Sequence, residues 1–231
     1  MYQWLLFDAD NTLFDFSLAE EKAFQATFAA QNLPFSDKTF QQYKQINKIV
    51  WEQFEQGLLT PDEVKVTRFE RLFEALHIEQ DSKRFSTAYT DQLSLRDDLL
   101  DGVEALLATL APTYKMGLIT NGLKKVQRSR LARSSIQSYF DPVIISEEVG
   151  SKKPETKIFD VAFTAMGNPA KASVLIIGDS LSSDILGGIN YGIDTCWYNP
   201  SRKPNSDRLP LTYEIQSLDQ LPQLLAEKKG N

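Results

Sequence analysis

One cysteine, Cys196, and one histidine, His77, occur among the 231 residues. A lone cysteine excludes an intramolecular disulfide and points to a reducing compartment, so a cytoplasmic location is expected. No apolar run approaches the ~20 residues of a membrane span, so no membrane partner is expected. The opening MYQWLLFDAD has no basic region, and its apolar run is too short for a secretory signal. No internal repeat or low-complexity stretch is apparent. Positive charge is also scarce: 25 Lys and Arg face 31 Asp and Glu, a net charge of −6. Such a balance excludes the electrostatic footprint of a protein that binds a nucleic acid polymer. It does not exclude a small anionic substrate, because the local field at a site decides that. Proline and glycine are unremarkable at 10 and 11, and the apolar fraction of 42% suits a globular chain.

Short runs apolar at nearly every position predict buried strands at Gln3–Phe7, Lys115–Ile119, Val143–Ile145, Val174–Ile177 and Thr195–Tyr198. Runs of this kind suit a parallel sheet covered on both faces. Between them apolar residues recur at three- and four-residue steps: Val103, Leu106, Leu107 and Leu110; Ile158, Val161, Ala162 and Ala165; Leu221, Leu224 and Leu225. Strand–helix alternation from about residue 100 onward predicts an α/β fold with a doubly wound sheet. Residues 15–95 differ. No convincing strand is present, and Leu18–Ala30, Phe40–Phe54 and Pro61–Leu76 carry helical patterns, the last opened by Thr60 as N-cap and Pro61 at the first helical position. The expected organisation is a discontinuous core, 1–14 and 96–231, interrupted by a helical cap at 15–95. The tail Glu227–Asn231 reads as a polar, frayed end.

Three polar clusters share one context. Asp8-Ala-Asp10-Asn11-Thr12 follows WLLF, Thr120-Asn121-Gly122 follows MGLI, and Gly178-Asp179-Ser180, with Ser183-Asp184 behind it, follows VLII. In open α/β sheets ligands bind beyond the carboxyl ends of strands, so neighbouring strands would bring the clusters into one crevice. Asp8, Asp10, Asp179 and Asp184 would then crowd a small space, and like-charged carboxylates cannot all stay ionised there without a counter-charge. A bound cation is the simplest remedy. All the donors are oxygens and no His or Cys lies near, which favours a hard ion, Mg²⁺ before Zn²⁺. Mg²⁺ typically shares its shell with a substrate phosphate, so a small phosphate monoester is the expected ligand.

The set DADNT, LITNG, KKP and GDSLSSD, in this order, resembles the haloacid dehalogenase-like superfamily of phosphatases. The match spans the core and leaves the insert uncovered. It implies a Rossmann-like core with a cap inserted after the first motif. By that resemblance Asp8 is the nucleophile that forms an aspartyl-phosphate, and Asp10 is the acid for the leaving alkoxide and then the base for water. Asp10 would also bind Mg²⁺ through its backbone carbonyl, alongside Asp8 and Asp179. Thr120, through its hydroxyl, and Asn121, through its backbone N–H, match the groups that hold phosphoryl oxygens. Lys153, just before Pro154, matches a fixed positive charge. Asp184 would hold a water of the ion's shell or orient Lys153 from behind.

Plainer readings stand beside these. Asp8 and Asp10 could cap a following helix; Asn121-Gly122 favours turns; Lys152-Lys153 alone reads as a solvated pair; Asp184 could serve a helix N-terminus. His77 falls near the end of a cap helix, where a surface or dipole role is expected, and Cys196 is expected in the core. Tyr43, Trp51 and Phe54 could stack on a base, but their helical spacing favours packing between helices. The stretches Leu6–Phe14, Gly192–Pro200 and Pro210–Ile215 are similar to pyrimidine-preferring 5′-nucleotidases. That branch acts on nucleoside monophosphates such as UMP, dUMP and dTMP. The alternatives are a sugar-phosphate or phosphoglycolate phosphatase, a phosphomutase, a hydrolytic dehalogenase, against which Asp10 argues, and a non-catalytic binding module.

Overall fold

The computed structural model describes residues 1–227; the expected frayed tail beyond Glu227 lies outside the described residues. The chain divides into two compact units. One comprises Met1–Asp15, Asp98–Lys124 and Leu131 onward; the other comprises Phe16–Asp97 and Lys125–Arg130.

The second unit contains four helices, α1 (Phe16–Ala30), α2 (Asp37–Glu55), α3 (Pro61–Leu76) and α4 (Ser82–Ser94), with α1 packed on α4, α2 on α3 and α3 on α4. Local chemistry fixes where they begin. Ser36 accepts a hydrogen bond from the Thr39 N–H at 3.1 Å, and Asp81 accepts one from Arg84 at 3.0 Å. Thr60 and Glu63 form a reciprocal capping box behind Pro61. His77 closes α3 in the left-handed conformation, at φ 53°, and is exposed. The helices bury an aromatic core. Tyr43 stacks on Phe69 with centroids 5.6 Å apart, and Phe24 stacks on Phe28 at 4.3 Å. Phe54 is buried, with Trp51 edge-on to its ring. Tyr43, Phe54 and the partly buried Trp51 thus pack between helices, as their helical spacing predicts.

A polar network crosses this aromatic core. Asn47 Nδ2 donates to Glu20 Oε1 at 2.7 Å, Arg68 Nη1 reaches Asn47 Oδ1 at 3.4 Å, and Tyr43 donates to Tyr89 at 3.0 Å. Burial pushes the Glu20 carboxyl up to about 7, against the pull of Arg68 and Lys44. The folded state thus holds the Glu20 proton more tightly than the unfolded chain does. That stabilisation is complete below the ordinary glutamate range and is lost as pH rises through about 7. Glu20→Gln keeps the acceptor for Asn47 and carries no charge. Relative to the wild type it should gain on the order of 3 kcal/mol between pH 4.5 and 8, at 1.36 kcal/mol per pH unit. Urea unfolding of both proteins across that range checks this, and parallel profiles would refute a buried proton on Glu20.

The first unit is built on a six-stranded sheet: β1 (Trp4–Phe7), β2 (Lys115–Thr120), β3 (Val143–Ile145), β4 (Val174–Gly178), β5 (Asp194–Tyr198) and β6 (Tyr213–Ile215). The order is β3-β2-β1-β4-β5-β6 and every pairing is parallel. The helices of this unit are α5 (Val103–Leu110), α6 (Lys124–Arg133), α7 (Ser146–Val149), α8 (Thr156–Ala165), α9 (Leu186–Tyr191) and α10 (Leu221–Glu227), with the Lys125–Arg130 part of α6 assigned to the helical unit. Side chains alternate across the sheet. Leu5, Phe7, Leu175 and Ile177 pack with Val103, Leu107 and Leu221, while Trp4, Leu6, Val174 and Ile176 pack with Ile158, Phe159 and Ala162. Covering both faces is why these strands are apolar throughout. The fold is the expected doubly wound α/β architecture, with the helical unit inserted between β1 and β2. The sequence reading missed β6, a strand of three residues. Among the described residues no helix is long and apolar enough to cross a membrane.

Candidate active site

The strand order reverses beside β1: β2 and β3 lie to one side, and β4 to β6 to the other. Phe7 pairs with Leu118 of β2 and Ile177 of β4, so the residues that follow these strands emerge at one edge of the sheet. Carboxylate oxygens of Asp8, Asp179 and Asp184 lie within 4.8 Å of one another there. The Asp10 side chain is outside that trio, although its charge acts on Asp8.

Each member is placed by a local device. The loop after β1 turns back at once: Leu13 and Phe14 donate to the Ala9 carbonyl at 3.0 and 2.9 Å, and Asn11 sits at φ 58°. Thr12, fully buried in this loop, has no hydrogen-bond partner for its hydroxyl. After β4 the chain forms one π-turn, Leu181–Ile185, which brings Asp184 back so that its Oδ2 accepts from the Ser180 N–H at 3.0 Å. Gly178 makes room for this, since a Cβ there would stand 2.2 Å from Asp184 Oδ2.

Lys153 is 1% exposed and reaches the same point. Its Nζ donates to Asp8 Oδ1 at 2.6 Å, to Asp184 Oδ1 at 2.6 Å and to the Ile119 carbonyl at 2.7 Å. Burial works against this ammonium, but Asp184 and Asp8 outweigh burial and hold it above the ordinary lysine value. The Asn121 side chain fixes its main chain, donating to the Lys153 carbonyl and accepting from the Lys153 N–H, both at 2.8 Å. The family resemblance implies only a backbone N–H role for Asn121, so this side-chain role is additional. Nothing in the sequence marks this bracket, because its two halves lie 32 residues apart. Thr120 is 1% exposed and its hydroxyl oxygen accepts from Gly122 N–H at 3.1 Å.

One ammonium does not neutralise this cluster. Burial, helped by Asp184 and Asp10, pushes the Asp8 carboxyl up to about 7 despite Lys153. Burial, Asp8 and Asp184 push Asp179 up to about 8. The donors are all oxygen; Cys196 is enclosed in β5 and His77 lies exposed on the helical unit. An excess of buried carboxylate with hard donors fits a hard divalent cation.

Residues 5–198 match the haloacid dehalogenase-like hydrolases. The chain belongs to that family. Members similar to it include the pyrimidine 5′-nucleotidase YjjG of Escherichia coli, 37% identical over 98% of this chain and 99% of that protein. The pyrimidine 5′-nucleotidase PynA of Streptococcus pneumoniae is 35% identical over 95% of this chain and 93% of that protein. Among solved structures, the HAD-hydrolase YfnB of Bacillus subtilis bound to magnesium superposes with a TM-score of 0.93 at 38% identity, covering 97% of this chain and 98% of that one. Family membership confirms the resemblance carried by the four motifs.

Proposed function

We propose that this hydrolase is a Mg²⁺-dependent phosphatase that cleaves pyrimidine nucleoside 5′-monophosphates through an aspartyl-phosphate on Asp8. The observation that carries the chemistry is the buried Lys153 ammonium, shared between Asp8 and Asp184 beside a third carboxylate. The near full-length similarity to two pyrimidine 5′-nucleotidases supports the substrate class.

Lys153 holds Oδ1 of Asp8, which leaves the other carboxylate oxygen to form the bond to phosphorus. As that bond forms, the ester P–O bond breaks and Asp10 gives its proton to the leaving 5′-oxygen. Water then attacks phosphorus, its proton passes to Asp10, and the P–O bond to Asp8 breaks, releasing phosphate. The Thr120 oxygen already accepts from Gly122, so its hydrogen is free for a phosphoryl oxygen, next to the Asn121 N–H. Asp8, Asp179 and the Asp10 carbonyl would hold Mg²⁺, with Asp184 behind; when bound, the ion supplies positive charge that keeps these carboxylates ionised and draws in phosphoryl oxygen. The helical unit acts as the cap that selects the substrate.

Phosphate release from UMP, dUMP and dTMP, compared with purine monophosphates and sugar phosphates, tests the reading. Turnover of the pyrimidine esters is expected with Mg²⁺, and loss to background in EDTA. The melting temperature should also fall in EDTA, because the ion binds only the folded state. Equal rates on sugar phosphates would refute the nucleotidase assignment and spare the phosphatase one. Halide release from 2-haloacids without metal would favour a dehalogenase.

A further inference from the structure

The stretch Gly192–Pro200 supplies no group to the chemistry above, yet one of its side chains reaches the catalytic edge. β5 runs beside β4, and their ladder ends with Trp197 opposite Gly178. Asp179 is the next residue, one step past that ladder. The Trp197 indole ties it back to β5: its Nε1–H donates to the Asp179 carbonyl at 3.0 Å. Trp197 is 1% exposed, so close packing fixes where the indole points.

A main-chain tether matters here because aspartate is short. Only χ1 and χ2 separate its carboxylate from the backbone, so the place of the backbone largely decides where the oxygens fall. Asp179 puts a carboxylate oxygen within 4.8 Å of those of Asp8 and Asp184, and like charges that close repel. The other two members have their own restraints. Asp8 donates its N–H to the Ile177 carbonyl of β4 at 2.9 Å, and Asp184 accepts from the Ser180 N–H and from Lys153. For Asp179 the indole hydrogen bond supplies the restraint. A hydrogen bond that holds a metal ligand in place typically changes metal affinity by about 10- to 100-fold. A tryptophan that served packing alone would change stability and leave that affinity untouched.

We propose that Trp197 is a positioning residue whose indole N–H holds Asp179 in place to ligate the divalent cation. The inference rests on the Mg²⁺ reading above. Calorimetric titration of the EDTA-treated, dialysed protein with Mg²⁺ tests it without substrate. Trp197→Phe should raise the Kd for Mg²⁺ about 10-fold. In UMP turnover the Mg²⁺ concentration that gives half the maximal rate should rise by the same factor. At saturating Mg²⁺, kcat should stay within about threefold of the wild type and KM for UMP should not change. Benzothienylalanine at position 197 keeps the ring and lacks the N–H, so it should give the same shift and separate the hydrogen bond from lost volume. Trp4→Phe trims another buried indole, at the start of β1 in the same sheet, and should leave Mg²⁺ affinity unchanged. An unaltered Mg²⁺ affinity in either Trp197 replacement, or an equal shift in Trp4→Phe, would overturn this inference alone. Failure of the wild type to bind Mg²⁺ would overturn the cation reading, and this inference with it.

Discussion

Asp8→Asn should abolish phosphate release, by about 10³-fold or more, while the protein stays folded. The replacement is nearly isosteric. An amide oxygen can still accept from Lys153, which lies 2.6 Å from Asp8 Oδ1, so the local geometry has no reason to collapse. Reactivity changes instead, because an amide does not attack phosphorus. Stability should not fall. Burial and the carboxylates of Asp184 and Asp10 already disfavour the ionised Asp8, so a neutral side chain relieves repulsion in the metal-free protein. Rapid acid quenching with labelled substrate should trap a phosphorylated wild-type protein and no phosphorylated variant. Melting curves in EDTA should show the variant at or above the wild type. Phosphate release by Asp8→Asn at the wild-type rate would remove Asp8 as the nucleophile.

Why some of this was legible in the sequence and some was not follows from what each residue packs against. Leu5 and Phe7 face one layer of helices while Trp4 and Leu6 face the other, so the whole of WLLF had to be apolar and announced a central strand. β6 gave no such signal. It is three residues long and its Glu214 is exposed. Helix α4 was not singled out either, because serine and threonine fill much of Ser82–Ser94 and only Phe85, Tyr89 and Leu93 mark its buried stripe. At the site, Asp8, Thr120 and Asp179 were visible because each directly follows a strand run. Lys153 was not, by chemistry alone. Lys152-Lys153 has the look of a solvated pair, and only the family resemblance separated the two; in the structure Lys153 is buried and Lys152 is partly exposed. The Asn121 bracket was equally hidden. An asparagine next to a glycine reads as a turn former, and the distant backbone that Asn121 holds, that of Lys153, is brought to it only by the packing of strands.

Lys153→Met should damage both stability and activity, and the reason is the same for each. The ammonium is enclosed, and two carboxylates meet it at 2.6 Å. Methionine fills comparable volume without charge, so Asp8 and Asp184 would face each other, and Asp179, with nothing between them. Breaking a buried ion pair from one side typically costs about 3–5 kcal/mol, because the surviving charge cannot return to water. For a chain of this size that amounts to a fall in melting temperature of about 6–20 °C. The loss should depend on pH with a definite sign. Without Lys153 the Asp8 carboxyl, already displaced upward, binds its proton more tightly still in the folded state. The variant therefore recovers stability as pH falls from 8 toward 5, and the gap to the wild type narrows. Magnesium should narrow it too, since a divalent cation replaces part of the missing charge and stabilises whichever protein binds it more tightly. Activity should not return with stability: Asp8 would lack the group that orients one of its oxygens, and the transferring phosphoryl would lack a fixed cation. Differential scanning calorimetry at pH 5 and pH 8, with EDTA or with Mg²⁺, separates these effects. A metal-free variant as stable as the wild type at pH 8 would mean that the carboxylate cluster does not depend on Lys153.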